Sequence, residues 1–363
     1  MKGRGRITGA FGLMCVLAGE VMAAPASELT LISSEWSEAV SLPSATAIDT
    51  SDNRFKLAGV CQDSDHDDST ACESSNVSLC CPTPSLWTAS VGAVFLHRSR
   101  PDSSAIITPP TGTPGTVIDA NAFGFGWDAG PDVSLTRLTE GGLMVEGRYF
   151  NDREADAEFG IPNITTFRAA GIGITILGGG PVNGFYTTKL DSTELNVHAP
   201  IHPRCTLLAG FRWVELHDAL RINVATPATL MNWDDNNHLY GGQLGTNLAF
   251  TKPTNPLRLN LALKAGVYGN DMDNRFTSTI VSGANNSDVT TSFVGELNFT
   301  GAYQLTRHMA LRGGYAVLWL DNVALAGDAA GTTTQTVGGS SSPVPNDGRL
   351  WYNGATAGVE FLW

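Results

Sequence analysis

The 363-residue chain is acidic, since 35 Asp and Glu residues against 22 Lys and Arg residues give a formal net charge of −13 and a pI of about 4.9. Phosphate groups would repel such a chain, so its charge disfavours nucleic acid as a partner. Forty glycines and a mean hydropathy near zero suit strands and turns better than helices, which each interior glycine weakens by about 1 kcal/mol, so a mostly β protein is expected.

Residues 1–23 have the pattern of a secretory leader. Lys2, Arg4 and Arg6 precede an uncharged apolar run from 7 to 18, which is shorter than the roughly 20 residues of a membrane helix. Cleavage is expected after Ala23. The leader predicts export and, together with the strand pattern below, a place in the cell outer membrane.

Residues 24–85 are predicted to form an irregular extension rich in Ser, Asp and Thr. Four cysteines in it are disulfide candidates, with three connectivities open in an oxidising compartment: Cys61, Cys72, Cys80 and Cys81. We expect the first two to bond to the adjacent pair, whose direct union would be strained. Cys205 lies in a strand pattern and is expected to be a small buried or lipid-facing apolar residue. The acidic cluster around His66 lacks the glycine and the terminal Glu of a calcium loop, so we predict no metal site and no cofactor.

From Leu86 to the C-terminus, apolar and polar residues alternate with a period of two, as in strands with one apolar face. In residues 257–267, leucines alternate with Arg258, Asn260 and Lys264. The alternating segments are long enough for a tilted membrane crossing of about 9–11 residues, whereas strands of soluble proteins are usually near five or six.

The connections between these segments alternate between short and long. Three are short turns, and three are long and rich in Gly, Asn or Asp: 199–202, 251–255 and 304–307 against 218–236, 270–288 and 321–348. Short periplasmic turns opposite long outer loops are typical of outer-membrane barrels. We therefore predict an all-β fold, a single transmembrane antiparallel up-and-down β-barrel over residues 86–363, surrounded by outer-membrane lipid. A soluble β fold is the alternative.

The pattern predicts about 12 strands, within a range of 10 to 14. Seven are clear: 183–198, 203–217, 237–250, 256–269, 289–303, 308–320 and 349–363. Five are weaker: 86–98, 119–128, 131–139, 142–151 and 163–177. Residues 152–162 would form an unusually long periplasmic turn.

The last strand ends in Phe361 and Trp363. This ending resembles the C-terminal signal that the barrel-assembly machinery recognises, so this machinery is an expected partner. Aromatic residues near the strand ends are expected to form membrane-interface girdles: Trp87, Tyr149, Tyr186, Trp213, Tyr240, Tyr303, Trp351 and Trp363.

The faces opposite the apolar ones are expected to line the pore. They carry mixed charges: Glu146, Arg148, Lys189, Glu194, Arg212, Glu215, Gln243, Arg258, Lys264, Glu296, Arg312 and Glu360. The acidic outer loops are expected to form the pore mouth with Asp234, Asp235, Asp271 and Asp273. Side chains in a narrow barrel would pair and plug the interior, while those in a wider one would face water and set ion selectivity.

No motif predicts catalysis. The sequence contains no G-x-S-x-G motif, no Walker-type phosphate loop and no C-x-x-C pair, so no hydrolase or nucleotide chemistry is indicated. His198 and His202 flank Pro200, which indicates a turn. His217 with Asp218, and His238 near Asp235, could form a protease-like site at the outer rim, but ordinary rim polarity explains them more simply. The predicted catalytic set is none.

Several short segments resemble the planctomycete outer-membrane β-barrel family, which is similar to the pore-forming outer-membrane proteins of Legionella. They include Cys80-Cys81-Pro82 before Trp87, the run from Gly210 to Leu216, Gly242-Gln243-Leu244-Gly245 and Lys264-Ala265-Gly266-Val267-Tyr268. The resemblance covers roughly residues 80–363 and depends on the order of these degenerate motifs. It implies a single barrel with a porin role and no catalytic residues.

Two functions remain open. The first is a porin-like passive channel for small polar solutes or ions. The second is a structural or surface-interaction barrel without an open pore. The sequence names neither a solute nor an oligomeric state.

Overall fold

A computed structural model describes residues 86–109, 117–162, 166–169, 172–173, 175–177, 180–252, 255–336 and 339–363. The predicted leader, the predicted extension and the disulfide candidates Cys61, Cys72, Cys80 and Cys81 lie outside the described residues. In the described parts, no helix is long and apolar enough to cross a membrane.

The described residues contain sixteen strands, one α-helix and one 3-10 turn (Ala120–Ala122). The strands, in chain order, are β1 (Trp87–Arg98), β2 (Ala105–Thr108), β3 (Ile118–Asp119), β4 (Trp127–Leu138), β5 (Met144–Ile161), β6 (Thr166–Ala169), β7 (Thr175–Leu177), β8 (Val182–His202), β9 (Cys205–Val224), β10 (Thr229–Ala249), β11 (Leu257–Ser278), β12 (Ala284–Thr306), β13 (Met309–Val323), β14 (Thr334–Thr336), β15 (Gly339–Ser341) and β16 (Gly348–Leu362). The helix α1 spans Ala326–Thr332.

Ten of these strands form a closed antiparallel barrel in the order β1-β16-β13-β12-β11-β10-β9-β8-β5-β4. Each strand pairs with its neighbours along the chain, and β1 closes the wall against β16, with Ala93 opposite Ala357. Closure leaves no unpaired sheet edge, as a strand wall in lipid requires. The predicted all-β up-and-down barrel is confirmed, and its ten strands fall at the lower end of the predicted range.

Two of the weaker predicted strands do not form wall strands. In 163–177, the short β6 and β7 belong to a separate four-stranded sheet in the order β3-β2-β6-β7. Most of 119–128 is a 3-10 turn and irregular chain before β4. The supposed turn at 152–162 instead continues β5, which bulges between Asp152 and Ala155. Such a bulge shifts the alternation by one residue and hides the strand from a strict period-two test.

Two predicted long loops are also largely strand. Residues 218–236 form the ends of β9 and β10, and 270–288 form the ends of β11 and β12, so only tight connections at 225–228 and 279–283 remain. The polar residues there lie mainly on the outward face, while Trp233 and Phe276 are buried inside. Strands that extend beyond the lipid need no apolar outer face. The polar composition of 218–236 and 270–288 therefore predicted loops where the structure has strands.

The interior at this end of the barrel is packed by a cap. We define the cap as the described parts of the connections 99–126, 162–181 and 324–347, which include α1 and the small sheet. Cap residues Ile107, Phe123 and Phe167 share one buried core with the wall residues Tyr186 and Trp233. The cap thus fills the long-connection end with apolar side chains.

The opposite end has short turns, at 139–143, 203–204, 250–256 and 307–308. The chain also ends there, where the backbone N–H of Trp87 donates to the carbonyl of Trp363 at 2.9 Å. Of the predicted assembly-signal residues, Phe361 is 41% exposed and Trp363 is 55% exposed. We call this end the short-turn end.

The outer surface between the two ends carries exposed apolar side chains, among them Leu195, Phe211, Leu244 and Val267, all more than half exposed. Neighbouring aromatics stack at its border, as in Trp319 on Trp351, with ring centroids 5.3 Å apart. This is the surface expected toward lipid. Tyr186 is an exception to the predicted girdle, because it lies inside the barrel and is fully buried.

Candidate functional site: the barrel lumen

A layer of five charged side chains crosses the lumen, and we call it the ion-pair layer: Arg148, Arg212, Lys264, Glu194 and Glu296. Glu296 accepts from Arg148 at 2.7 Å and from Arg212 at 2.6 Å. The ammonium group of Lys264 lies 2.7 Å from Glu194. None of the five side chains is more than 9% exposed, so they contact each other rather than bulk water.

Neutral and charged neighbours complete this layer. Gln243 Nε2 donates to Glu194 at 2.8 Å, and Arg212 Nε donates to Ser192 Oγ at 2.9 Å. Arg148 Nε also donates to Asp132 at 3.0 Å. A buried charge is costly unless it is paired and hydrogen-bonded, and these contacts meet that requirement for most of the layer.

An apolar layer follows on the side toward the cap. Leu190, Leu216, Leu239 and Tyr352 belong to this second buried cluster, together with Phe150. The guanidinium groups of Arg148 and Arg212 lie 4.9 and 5.5 Å from the centroid of the Phe150 ring. The charged and apolar layers therefore pack directly on one another.

Asp218 joins the cap to the wall, and we call its contacts the latch. Arg98 Nη1 lies 2.7 Å from Asp218, with both side chains fully buried. Tyr186 Oη donates to the same carboxylate at 2.7 Å, and the backbone N–H of Ala326, the first residue of α1, donates at 3.0 Å. The next amide, of Gly327, donates to Tyr186 Oη at 3.0 Å. One wall carboxylate thus pairs with an arginine and accepts hydrogen bonds from a tyrosine and from the start of the cap helix.

A polar cavity of about 300 Å³, which we call the vestibule, lies between the ion-pair layer and the short-turn end. Two acid–base pairs line it: Arg258 Nη2 lies 2.6 Å from Glu360, and His198 Nε2 lies 2.9 Å from Glu146. Arg312 also lines the vestibule and donates to Ser90 Oγ at 3.3 Å. In the described part of the barrel, this cavity has room for a small solute.

The structure places ten of the twelve predicted pore-lining residues inside the barrel. The two exceptions, Lys189 and Glu215, are on the outer wall, where Lys189 lies 3.0 Å from Asp191 and Glu215 lies 3.4 Å from His238. Strand parity explains both errors. Glu194 of β8 and Arg212 of β9 face inward, so residues at an odd spacing from them face outward.

The predicted mouth residues are not in loops. Asp235 faces the interior of β10, where it is fully buried and accepts from Asn274 Nδ2 at 2.7 Å. Asp234, Asp271 and Asp273 lie on the strands β10 and β11, at the positions between the buried ones, and therefore face outward. The structure thus corrects their assignment to a pore mouth in loops.

Sequence reasoning missed the latch and part of the ion-pair surroundings. Arg98, Asp132 and Asn196 were not predicted to line the lumen, and Asp218 was considered only as a rim residue with His217, although all four lie inside the barrel. Asp218 shares the parity of Arg212 on β9, and Asn196 that of Glu194 on β8, so consistent strand parity would have found both.

His217 and Asp218 do not form a common site, because their side chains lie on opposite faces of β9. His217 Nδ1 lies 2.9 Å from Asn236 and 3.6 Å from Asp234 on the outer wall, whereas Asp218 faces the interior. Cys205 is buried in the wall, which agrees with its interpretation as a small buried residue.

The closed strand wall, with its lipid-facing surface and its polar lumen, defines an outer-membrane β-barrel of the porin class. Residues 145–363 match the family described as Putative beta barrel porin-7. The chain belongs to this family, so the predicted barrel family is confirmed at that level.

No curated protein matches the chain. Among solved structures, the chain is similar to the outer membrane protease OmpT from Escherichia coli, with 8% identity and a TM-score of 0.48 over 77% of this chain and 98% of that one. It is also similar to the Pseudomonas putida toluene transporter TodX, with 9% identity and a TM-score of 0.30 over 77% and 90% of the two chains. An anion-selective porin from Comamonas acidovorans has 10% identity and a TM-score of 0.15 over 76% and 100%.

Proposed function

We propose that this porin-family barrel passes small polar solutes or ions passively, through a lumen that is closed here and opens when the cap and the ion-pair layer rearrange. The observation that carries the proposal is the ion-pair layer, which places five charges across the lumen of a barrel in a porin family.

Energetics supports a role for these charges beyond stability. Replacing a buried ion pair by well-packed apolar side chains is often neutral, or stabilising by about 1–4 kcal/mol. A barrel needing only a solid interior would be served by the apolar filling seen in the next layer. Charged side chains that can exchange partners allow a polar path to form without exposing unpaired charge.

A structural or surface-interaction barrel without an open pore is the second candidate. The observation in its favour is the filling of the interior, since the cap core and the apolar layer both contain fully buried side chains such as Phe167 and Leu190. The two candidates make opposite predictions about conductance.

Planar-bilayer recording of the purified barrel separates them. The channel predicts small, infrequent openings of the wild type, and more frequent openings of Glu296→Gln, because that change removes the carboxylate shared by Arg148 and Arg212. Glu215→Gln on the outer wall is the matched control and should behave as wild type. If neither the wild type nor Glu296→Gln conducts, although both are folded and inserted, the structural barrel is favoured.

We propose that the protein is exported with removal of residues 1–23. We also propose that the barrel-assembly machinery inserts it into outer-membrane lipid through Phe361 and Trp363, and that it has no enzymatic activity. The sequence supports the leader, and the exposed positions of Phe361 and Trp363 support the signal. N-terminal sequencing of the mature protein tests the cleavage, and loss of insertion in a Phe361→Ser, Trp363→Ser variant tests the signal.

A further inference from the structure

Within the part of the chain that the structure describes, one arginine of the vestibule forms no ion pair. Arg312 of β13 donates to the neutral hydroxyl of Ser90 at 3.3 Å, and among the residues that the structure describes no carboxylate oxygen lies within 4.0 Å of its guanidinium group. Both carboxylates that line the vestibule are already engaged, Glu360 by Arg258 and Glu146 by His198. Among the described residues, the guanidinium group of Arg312 therefore faces the cavity without a carboxylate in direct contact.

Strand register places a second arginine beside it. Ala302 of β12 pairs with Arg258 of β11 on one side and with Arg312 of β13 on the other. The Cα atoms of the two arginines are thus two strand spacings apart, about 10 Å. The small side chain of Ala302 lines the vestibule between them.

The other groups of the vestibule suit a polar molecule. Asn260, Asn298 and Thr300 line it, and their amides and hydroxyl can both donate and accept hydrogen bonds. Its volume of about 300 Å³ is at the lower end of the range of small-molecule sites. A small solute fits this volume.

We infer that the vestibule binds a small organic anion, whose carboxylate or phosphate group pairs with Arg312 and whose polar body contacts Asn260, Asn298 and Thr300. The planar guanidinium group matches both anions, because two of its N–H groups can donate in parallel. A cationic solute would instead have to displace Arg258 or His198 from its carboxylate. The inference rests on the proposed function and adds the class of solute accepted from the short-turn end.

Calorimetric titration of the full-length barrel in detergent tests the site, with succinate and inorganic phosphate as probes. We expect at least one anion to bind the wild type, and Arg312→Gln to weaken binding about tenfold or more, as for loss of a charge-assisted hydrogen bond. Arg312→Lys should bind the anion with intermediate affinity, since lysine keeps the positive charge but lacks the two parallel N–H donors of the guanidinium group. Arg307→Gln, in an exposed turn at the same end, is the control and should change binding less than about twofold.

Two outcomes overturn the inference: neither anion binds the wild type, or the folded Arg312→Gln barrel binds as tightly as the wild type. Binding of succinate alone or phosphate alone supports the site and identifies the group recognised. Bilayer recording on the same preparations separates this inference from the proposed function. Binding without conductance keeps the site and rejects the channel, whereas conductance without binding rejects the site alone.

Discussion

At the scale of single residues, Asp218 makes the most consequential contacts, because three groups depend on one buried carboxylate. Arg98 forms an ion pair with it, and Tyr186 and the first amide of α1 donate hydrogen bonds to it. Any group left without this acceptor would be buried and unsatisfied, which is more costly than the loss of an exposed contact.

Asp218→Asn should destabilise the protein by roughly 3–5 kcal/mol, because it leaves the buried Arg98 charge unpaired. Equilibrium unfolding in detergent measures the change. The control is Asp321→Asn, which removes a pair of similar length, 2.7 Å to Arg349, whose arginine side chain is 65% exposed. That pair should contribute only about 0–1 kcal/mol. Equal losses in the two variants would contradict the role given to Asp218.

Asp328 is expected to make the stability of the cap depend on pH. Burial, reinforced by the neighbouring carboxylates of Asp347, Asp218 and Asp102, raises the pKa of Asp328 to about 6. A carboxyl with a raised pKa favours the folded cap while protonated, and this contribution is lost as pH rises through about 6. The cap should therefore be more stable at pH 5 than at pH 7.5.

Hydrogen exchange of residues 324–336, corrected for the intrinsic pH dependence of exchange, tests this prediction. We expect less protection at pH 7.5 than at pH 5 in the wild type. Asp328→Asn should remove most of the difference, because the amide does not ionise. A pH effect of the same size in Asp328→Asn would assign the sensitivity to another group.

At the scale of the strand, alternation decides which side chains meet lipid and which meet the lumen. Phe299 of β12 is 44% exposed on the outer wall, whereas its neighbour Asn298 lines the vestibule. Adjacent positions on one strand thus have opposite surroundings, so they form a matched pair.

Phe299→Arg should cost about 2–4 kcal/mol if the position is near the bilayer midplane, because the charge faces lipid. Asn298→Arg should cost much less, since its side chain faces a polar cavity. Refolding titrations into lipid vesicles compare the two directly. Equal penalties would mean that the inner and outer faces of β12 are wrongly assigned.

At the scale of the whole molecule, charge differs between the lumen and the cap. The inner lumen balances five bases with five acids: Arg148, Arg212, Arg258, Lys264 and Arg312 with Asp132, Glu146, Glu194, Glu296 and Glu360. The described residues of the cap carry four acids, Asp102, Asp119, Asp328 and Asp347, against two bases, Arg100 and Arg168, so the cap is acidic by two charges. An acidic entrance raises the local cation concentration within about a Debye length, roughly 8 Å at physiological salt.

We therefore predict a weak cation preference at low salt that fades toward none at about 1 M, where the Debye length is about 3 Å. Neutralising Asp102, Asp328 and Asp347 together should reduce the preference. Neutralising Asp234, Asp271 and Asp273, which face outward from the wall, should reduce it less. Reversal potentials under a salt gradient measure both. Strong anion selectivity, or a cation preference that does not change with salt, would contradict the role given to the acidic entrance. Arg312 does not enter this prediction, because it acts on solutes that enter from the short-turn end.

The sequence by itself determined the class of fold, because a period-two pattern is a local property. An apolar face is predicted for any strand with leucines at alternate positions, as at Leu257, Leu259 and Leu261. Short turns between long strands then predict an antiparallel wall. The same local rule placed Glu194, Lys264 and Glu296 inside the barrel. Lys189 and Glu215 were wrongly placed inside, because the alternation was not followed from Glu194 and Arg212 along the same strands.

Tertiary structure alone decided how the interior is filled. The bond between Arg98 and Asp218 joins residues 120 positions apart in the chain, and Glu296 meets Arg148 only because closure brings non-adjacent strands across one narrow lumen. The cap is likewise recognisable only once Trp233 and Phe276 are known to face inward above the membrane. Period-two alternation says which side of a strand a residue occupies, but the partner it meets there depends on strand number, register and closure, which no local pattern contains.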